Sequence, residues 1–169
     1  MATITLKGNE IHTKASLPAV GTVLGDFQLT NEKLEAVNTK DLKGQKLLYN
    51  IFPSIDTGVC AASVRRFNQE AAGLANTQVL CVSEDLPFAH GRFCGAEGID
   101  KVHSLSTVRN RNFGHDLGLV ITDGPLEGLL SRAVIVVDSS GKVVYTEQVP
   151  EIGQEPDYEA ALNAVRAAD

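Results

Sequence analysis

At 169 residues, 43% of them hydrophobic, the chain is long enough to bury one substantial core, and a single domain over residues 1–169 is expected. A formal net charge of -6, with the basic pairs Arg65/Arg66 and Arg109/Arg111 never growing into a patch, argues against nucleic acid as a partner. Met1 to Thr13 has neither a cationic start nor an apolar block and no run approaches membrane-spanning length, which points away from a membrane and toward the cytoplasm.

In chain order, Thr3 to Lys7 and Glu10 to Thr13 flank Gly8-Asn9 and read as a hairpin, an N-terminal ornament over residues 1–14. Leu17 to Gly21 reads as extended connection, Asp26 to Thr30 and Leu34 to Val37 as strands, and Thr39 to Leu42 as a short turn of helix closed by Gly44. The aliphatic run Lys46 to Phe52 predicts a core strand that Pro53 ends by removing a donor. From Cys60 onward, Val64, Phe67, Ala71 and Leu74 fall on one helical stripe, with Arg65, Arg66, Gln69 and Glu70 on other faces, so a helix is expected over 60–74. A strand over 77–83 completes a βαβ unit with a right-handed crossover. Pro87 to Gly95 (weak helix), Val102 to Ser106 (strand) and Asn110 to Leu117 (helix) read as an insertion. Ala133 to Val137 and Lys142 to Glu147, joined by Asp138-Ser139-Ser140-Gly141, form a second hairpin, and a helix over 156–168 closes the chain. A βαβ unit followed by ββα predicts an α/β, thioredoxin-like fold with an N-terminal β-hairpin extension and a central strand/helix insertion.

Three cysteines occur with no C-x-x-C pair and no cysteine and histidine cluster at zinc spacing, so neither a structural disulfide nor a metal or other cofactor is expected. Cys81 lies inside the apolar run Gln78 to Val82 and reads as inert core. Cys60 lies where a buried strand meets a helix, in the first helical turn. Unpaired amides there carry partial positive charge and favour a negatively charged sulfur, the nucleophilic form. A lone cysteine on an apolar stripe is also compatible with simple core packing. Pro53, Thr57 and the helix start, all within eight positions, favour chemistry.

The pattern Pro53-x-x-x-Thr57-x-x-Cys60 at such a junction resembles that of the peroxiredoxins, which reduce hydroperoxides with a cysteine. The similarity is closest to the bacterial thiol peroxidases, the atypical two-cysteine branch. It extends through Asn50 to Thr57, Asp85-Leu86-Pro87-Phe88, Arg92 to Gly98 and Asp123-Gly124-Pro125-Leu126, and covers nearly the whole chain. The resemblance implies Cys60 as peroxidatic cysteine, Pro53 and Thr57 as its pocket, Arg132 as a strand-borne arginine and Cys94 as resolving cysteine. It also implies a hydroperoxide substrate, thioredoxin as reductant and a homodimer. One position departs: Gly58 stands where many members carry proline.

A helix terminus supplies about 0.3 to 2 kcal/mol, less than full ionisation of an ordinary thiol at neutral pH requires, so a second positive source is needed. Arg132 suits that role because its charge is permanent and its fork can hold sulfur and a peroxide oxygen together; a surface or ion-paired arginine is the plainer reading. Most of the acceleration has to come from donors aimed at the departing oxygen, for which Thr57 and Arg132 are the candidates. Thr57 can equally serve as an ordinary helix N-cap, and Asp56 reads as a solvated turn residue. Phe52, Ile55 or Leu86 are expected to form an apolar rim for an alkyl tail. Gly91, Gly95 and Gly98 weaken the helix that carries Cys94, so that segment is expected to open at low cost.

Two other functions compete. A thioredoxin-fold binding or chaperone protein would leave Cys60 merely packed. A cysteine hydrolase would need a histidine base, and His12, His90, His103 and His115 sit in no catalytic motif; they read as solvated or strand-packed.

Overall fold

The run that begins at Lys46 folds as a strand buried at every position, because the sheet around it is covered on both faces. In the computed structural model, which describes residues 1–169, this strand is β5 (Lys46–Ile51). Before it come β1 (Thr3–Leu6), β2 (Asn9–His12), β3 (Gln28–Asn31), β4 (Ala36–Asn38) and a 3₁₀ turn at Thr39–Leu42. After it come α1 (Gly58–Ala71), β6 (Thr77–Ser83), α2 (Pro87–Glu97), β7 (His103–Ser106), α3 (Asn112–Asp116), β8 (Ala133–Val137), β9 (Val143–Gln148) and α4 (Tyr158–Ala167). Strands β3 to β9 form one sheet in the order β4-β3-β7-β6-β5-β8-β9. Pairing is parallel for β5 with β6 and β6 with β7, and antiparallel elsewhere.

Side chains of a strand alternate between faces, and β5 feeds both core layers accordingly. Leu47, Tyr49 and Ile51 pack with Phe27, Phe113, Leu119 and Leu130 on one side. Leu48 and Phe52 pack on the other with Val64 and Phe67 of α1 and Ala161, Leu162 and Val165 of α4. Lys46 is drawn in as well: its Nζ donates to the carbonyls of Val165 at 2.9 Å and Ala168 at 3.5 Å, meeting the unpaired C-terminal end of α4.

The expected elements form with shifted ends. Helix α1 starts two residues earlier than its apolar stripe and stops at Ala71, yet Leu74 is still buried, because it folds back onto the core through the turn at Gly73. A buried stripe cannot by itself tell the last helical turn from a turn that returns to the same surface. The central insertion places β7 between β3 and β6 and seats the α3 ring of Phe113 edge-on to Phe27 at 5.0 Å.

The N-terminal hairpin β1–β2 is more than an appendage. Thr5 N–H donates to the Pro150 carbonyl at 2.7 Å, and Ile152 N–H donates to the Thr5 carbonyl at 2.9 Å. Gly124 has φ +76, and a Cβ there would lie 2.7 Å from Cγ2 of Ile11, so a side chain would push the hairpin away.

Candidate active site

Pro53 is buried at the end of β5 and releases the chain into the loop that leads to α1. Asp85 pins that loop: its carboxylate accepts from Ser54 Oγ at 2.8 Å and from Ile55 N–H at 2.7 Å. Thr57 then takes an extended conformation at the N-cap position (φ -104, ψ 148), but its side chain does not cap. The hydroxyl donates instead to the Ser54 carbonyl at 3.1 Å and stays exposed at the cavity described below. Cys60 follows as the third residue of α1, fully shielded from solvent.

The second half of the site arrives from across the sheet. In the antiparallel β5–β8 ladder Ile51 lies opposite Ala133, so the chain just before β8 comes alongside the exit of β5. Arg132 occupies that place at 2% exposure, with Nη2 donating to Cys60 Sγ at 3.3 Å and Nε to the Ile152 carbonyl at 2.8 Å. Its Nη1 is buried with no partner, and the guanidinium forms no ion pair with any carboxylate. A buried charge without a counterion is costly, and the Cys60 sulfur is the side-chain atom this guanidinium meets. The N-terminus of α1 adds its own positive end beside the same atom.

A cavity of about 260 Å³ opens next to this pair. Pro53, Thr57, Gly58 and Arg132 form its polar and backbone side, and Leu6, Val59, Leu126, Leu129 and Ile152 form its apolar wall. The expected rim is therefore wrong in its membership. Phe52 and Ile55 are 0% and 2% exposed because both point into the same core layer as Cys60, while Leu86 lies on the surface outside the cavity. The true wall comes from the hairpin and from segments 126–129 and 152, far away in sequence. The Asp123 to Leu126 stretch was the one visible sign of it.

Glu151 ties this wall together. Its carboxylate accepts from Thr5 Oγ1 at 2.6 Å and from the N–H groups of Lys7, Gly8 and Gly153 at 3.0, 3.1 and 3.2 Å. The Thr5 hydroxyl and then these backbone donors hold the carboxyl down at about 2. The neighbouring carbonyl, that of Ile152, is the one that receives Arg132, so hairpin, cavity and guanidinium share one anchor.

Cys94 sits elsewhere, half-buried on α2, with Sγ 3.1 Å from Ser104 Oγ; burial pushes its thiol up. Cys81 is fully buried and burial pushes it up to about 12, in keeping with an inert role. All three cysteines are free thiols. Asp56 is exposed and ion-paired with Arg92, and Arg65 pairs with Glu97 at 2.9 Å. No histidine serves Cys60, whose side-chain partner is Arg132. His12 pairs with Asp123, His103 with Gln78 and His115 with Lys14, while His90 is 1% exposed on α2 against Ser83, neither solvated nor on a strand. The hydrolase alternative thus has no base.

A buried cysteine that meets an uncompensated guanidinium at a helix start, on a sheet of this order, fits a thiol-based redox protein. The Redoxin family model matches residues 16–162. The thiol peroxidase of Corynebacterium glutamicum is 57% identical over 98% of this chain and 99% of its own length, and that of Mycobacterium tuberculosis 54% identical over 99% and 100%. A peroxiredoxin-like protein from Aquifex aeolicus superposes with a TM-score of 0.93 at 35% identity, covering 98% of this chain and 96% of that one. The chain belongs to the Redoxin family. Within it, it is a thiol-dependent peroxidase with the thioredoxin-like fold of the peroxiredoxins.

Proposed function

We propose that Cys60 is the peroxidatic cysteine and that it reduces hydrogen peroxide and alkyl hydroperoxides. The observation that carries this reading is the 3.3 Å contact between the uncompensated Arg132 guanidinium and the Cys60 sulfur beside an apolar cavity. The sulfur attacks one peroxide oxygen and the O–O bond breaks. The other oxygen leaves with negative charge, takes a proton, and departs as water or alcohol while Cys60 becomes a sulfenic acid. The vacant donor Nη1 of Arg132 and the Thr57 hydroxyl, after it turns from the Ser54 carbonyl, stabilise charge on the oxygens in the transition state. Pro53 closes the pocket and keeps water from the sulfur. The leucine and isoleucine wall suits an alkyl tail.

Cys94 then resolves the sulfenic acid: its thiol displaces hydroxide, which leaves as water with the thiol proton, and a Cys60–Cys94 disulfide forms. A thioredoxin dithiol returns both cysteines to thiols by exchange. Cys60 Sγ meets Arg132 and Cys94 Sγ meets Ser104, so each sulfur has to leave its partner before the two can bond, with α-carbons within about 7 Å. The ties between their two segments that face solvent, Arg92–Asp56 and Arg65–Glu97, are worth only about 0 to 1 kcal/mol each and do not prevent this. The setting is antioxidant defence in the cytoplasm, in a single-domain subunit that pairs as a homodimer; Leu86 at 53% and Phe88 at 69% exposure supply apolar surface for a second copy.

Stopped-flow oxidation of wild type, Cys60→Ser and Cys94→Ser by hydrogen peroxide and an alkyl hydroperoxide, followed by intact mass, tests the scheme. Cys60→Ser is expected to lose the reaction, and Cys94→Ser to keep the first step but gain oxygen instead of losing two hydrogens. Retained turnover in Cys60→Ser overturns the reading.

A further inference from the structure

At the end of β6, on the side of Cys60 away from Arg132's anchor, lies a polar chain that the peroxidase scheme does not use. The Ser83 hydroxyl donates to Asp85 Oδ2 at 2.5 Å, and Ser83 Oγ in turn accepts Asp85 N–H at 3.2 Å. His90 Nε2 lies 3.0 Å from Ser83 Oγ. A hydroxyl has one proton, and here the carboxylate takes it, so the imidazole must be the donor in that contact. Burial lowers the His90 pKa and keeps the ring neutral with its proton on Nε2, although Asp85 pulls the other way. The chain therefore runs in one direction, from His90 N–H to Ser83 O–H to the Asp85 carboxylate.

Its two ends belong to different moving parts. Asp85 also receives Ser54 Oγ and Ile55 N–H, in the loop that leads to Cys60. His90 stands on α2 about one turn before Cys94, edge-on to the Phe52 ring at 6.4 Å. Besides His90, α2 is held by Phe93 and Ala89, which pack in the core layer of Cys60, and by Cys94 Sγ at 3.1 Å from Ser104 Oγ, while its ends are looser. Its N-cap residue Leu86 has no capping side chain, residues 95–98 are exposed, and its ion pairs to α1 and the preceding loop face solvent and are screened. Ser83 and His90 are 0% and 1% exposed, so their bonds are neither screened nor exchangeable with water.

We propose that the His90–Ser83–Asp85 chain is a latch that holds the Cys60 loop and the Cys94 helix to the end of β6, with Asp85 and His90 as positioning residues that set the lifetime of the sulfenic acid. This rests on the reading of Cys60 and Cys94 given above. While the latch is closed, the sulfenic acid stays beside Arg132, where a second hydroperoxide converts it to sulfinic acid and leaves as alcohol. Opening lets Cys94 condense with it and release water. Latch strength thus divides one intermediate between two products.

The test compares wild type with Asp85→Asn, Ser83→Ala and His90→Leu in rapid-quench and intact-mass experiments, using tert-butyl hydroperoxide at one equivalent and in excess. Ser83→Ala deletes a single hydroxyl and carries the test should His90→Leu not fold. His90→Leu, which frees α2 alone, is expected to leave the first oxidation within about twofold and to speed disulfide formation about tenfold, with a matching fall in sulfinic product; Ser83→Ala, which also removes one of the bonds to Asp85, is expected to speed disulfide formation as much with a modest slowing of the first oxidation. Asp85→Asn, which slackens the loop as well, is expected to slow the first oxidation while speeding the second step. Purely structural damage would lower melting temperature or both rates without changing the product ratio, and that result overturns the latch. An unchanged disulfide rate in every variant, with wild type forming the bond, overturns the latch alone. Absence of a Cys60–Cys94 bond in wild type overturns the underlying reading and the latch together.

Discussion

Cys60 and Cys81 are equally hidden, each at 0% exposure, and lie in the same apolar layer. They are even joined through two side chains: Asn50 Nδ2 lies 3.7 Å from Cys81 Sγ and 3.1 Å from Ser63 Oγ, and Ser63 in turn donates to the Cys60 carbonyl at 2.7 Å. What separates them is charge. Cys81 sits mid-strand with a weak amide donor, and burial drives its thiol up to about 12. Cys60 sits at a helix start under a guanidinium that has no other anion. Burial alone silences a thiol; burial beside an uncompensated guanidinium keeps water from the sulfur and concentrates the field around it, which is what the proposed role of Cys60 uses.

The sharpest way to break this contrast is to make Cys60 resemble Cys81. Arg132→Met keeps most of the side-chain volume and removes the charge, and peroxide reduction is expected to fall by about a hundredfold to a thousandfold in stopped-flow assays. A rate within tenfold of wild type would show that burial at a helix start suffices. Thr57→Val removes one donor near the reacting oxygens without a change in shape, and an approximately tenfold loss is expected with melting unchanged.

Glu151→Gln loosens the segment that aims Arg132, and it has a pH signature. The Glu151 carboxyl is held at about 2 against an ordinary 4.5, so its ionised form stabilises the fold at neutral pH, and that contribution disappears as pH falls from about 4.5 toward 2. Denaturant titrations across that range are expected to show a shallower acid limb in the variant. The other side of the contrast is tested by Cys81→Ala, where peroxidase rate is expected to stay within twofold while about 1 kcal/mol of stability is lost, some 2 to 4 °C in melting temperature. The smallest effect is expected of Gly58→Pro. Position 58 is the first helical residue, a Cβ there meets nothing within 4 Å, and Thr57 already has the extended backbone that precedes a proline, so a gain of about 0.4 to 1 kcal/mol is expected by thermal melt.

Half of the site was legible because it is local. The apolar run at 46–52, the proline that ends it and the stripe beginning at Cys60 sit within one βαβ unit, and periodicity reads such units well. Cys81 was legible for the same reason. The other half depends on register. Nothing near Arg132 says that Ala133 will pair with Ile51, and without that pairing the arginine is one more charge at a strand end. Family resemblance, not pattern, pointed to it. The cavity wall differs from the expected one because Phe52 and Ile55, which flank Pro53, turn into the core, and apart from Val59 the apolar residues that face the pocket come from distant segments, Leu6, Leu126, Leu129 and Ile152. His90 was missed since a buried imidazole leaves no periodic trace; only its spacing to Ser83 and Asp85 across the end of β6 gives it meaning.

The clasp between Thr5 and Glu151 joins positions 146 apart in the chain. During synthesis, then, the segment around Thr5 must wait for the segment around Glu151 before the pocket can close. A nascent chain that has emerged as far as β7 already carries Cys60 yet lacks Arg132, the partner of its sulfur in the folded chain. On the proposed reading of Cys60, the order of synthesis leaves that thiol without its charged partner until β8 and the segment around Ile152 have folded against it.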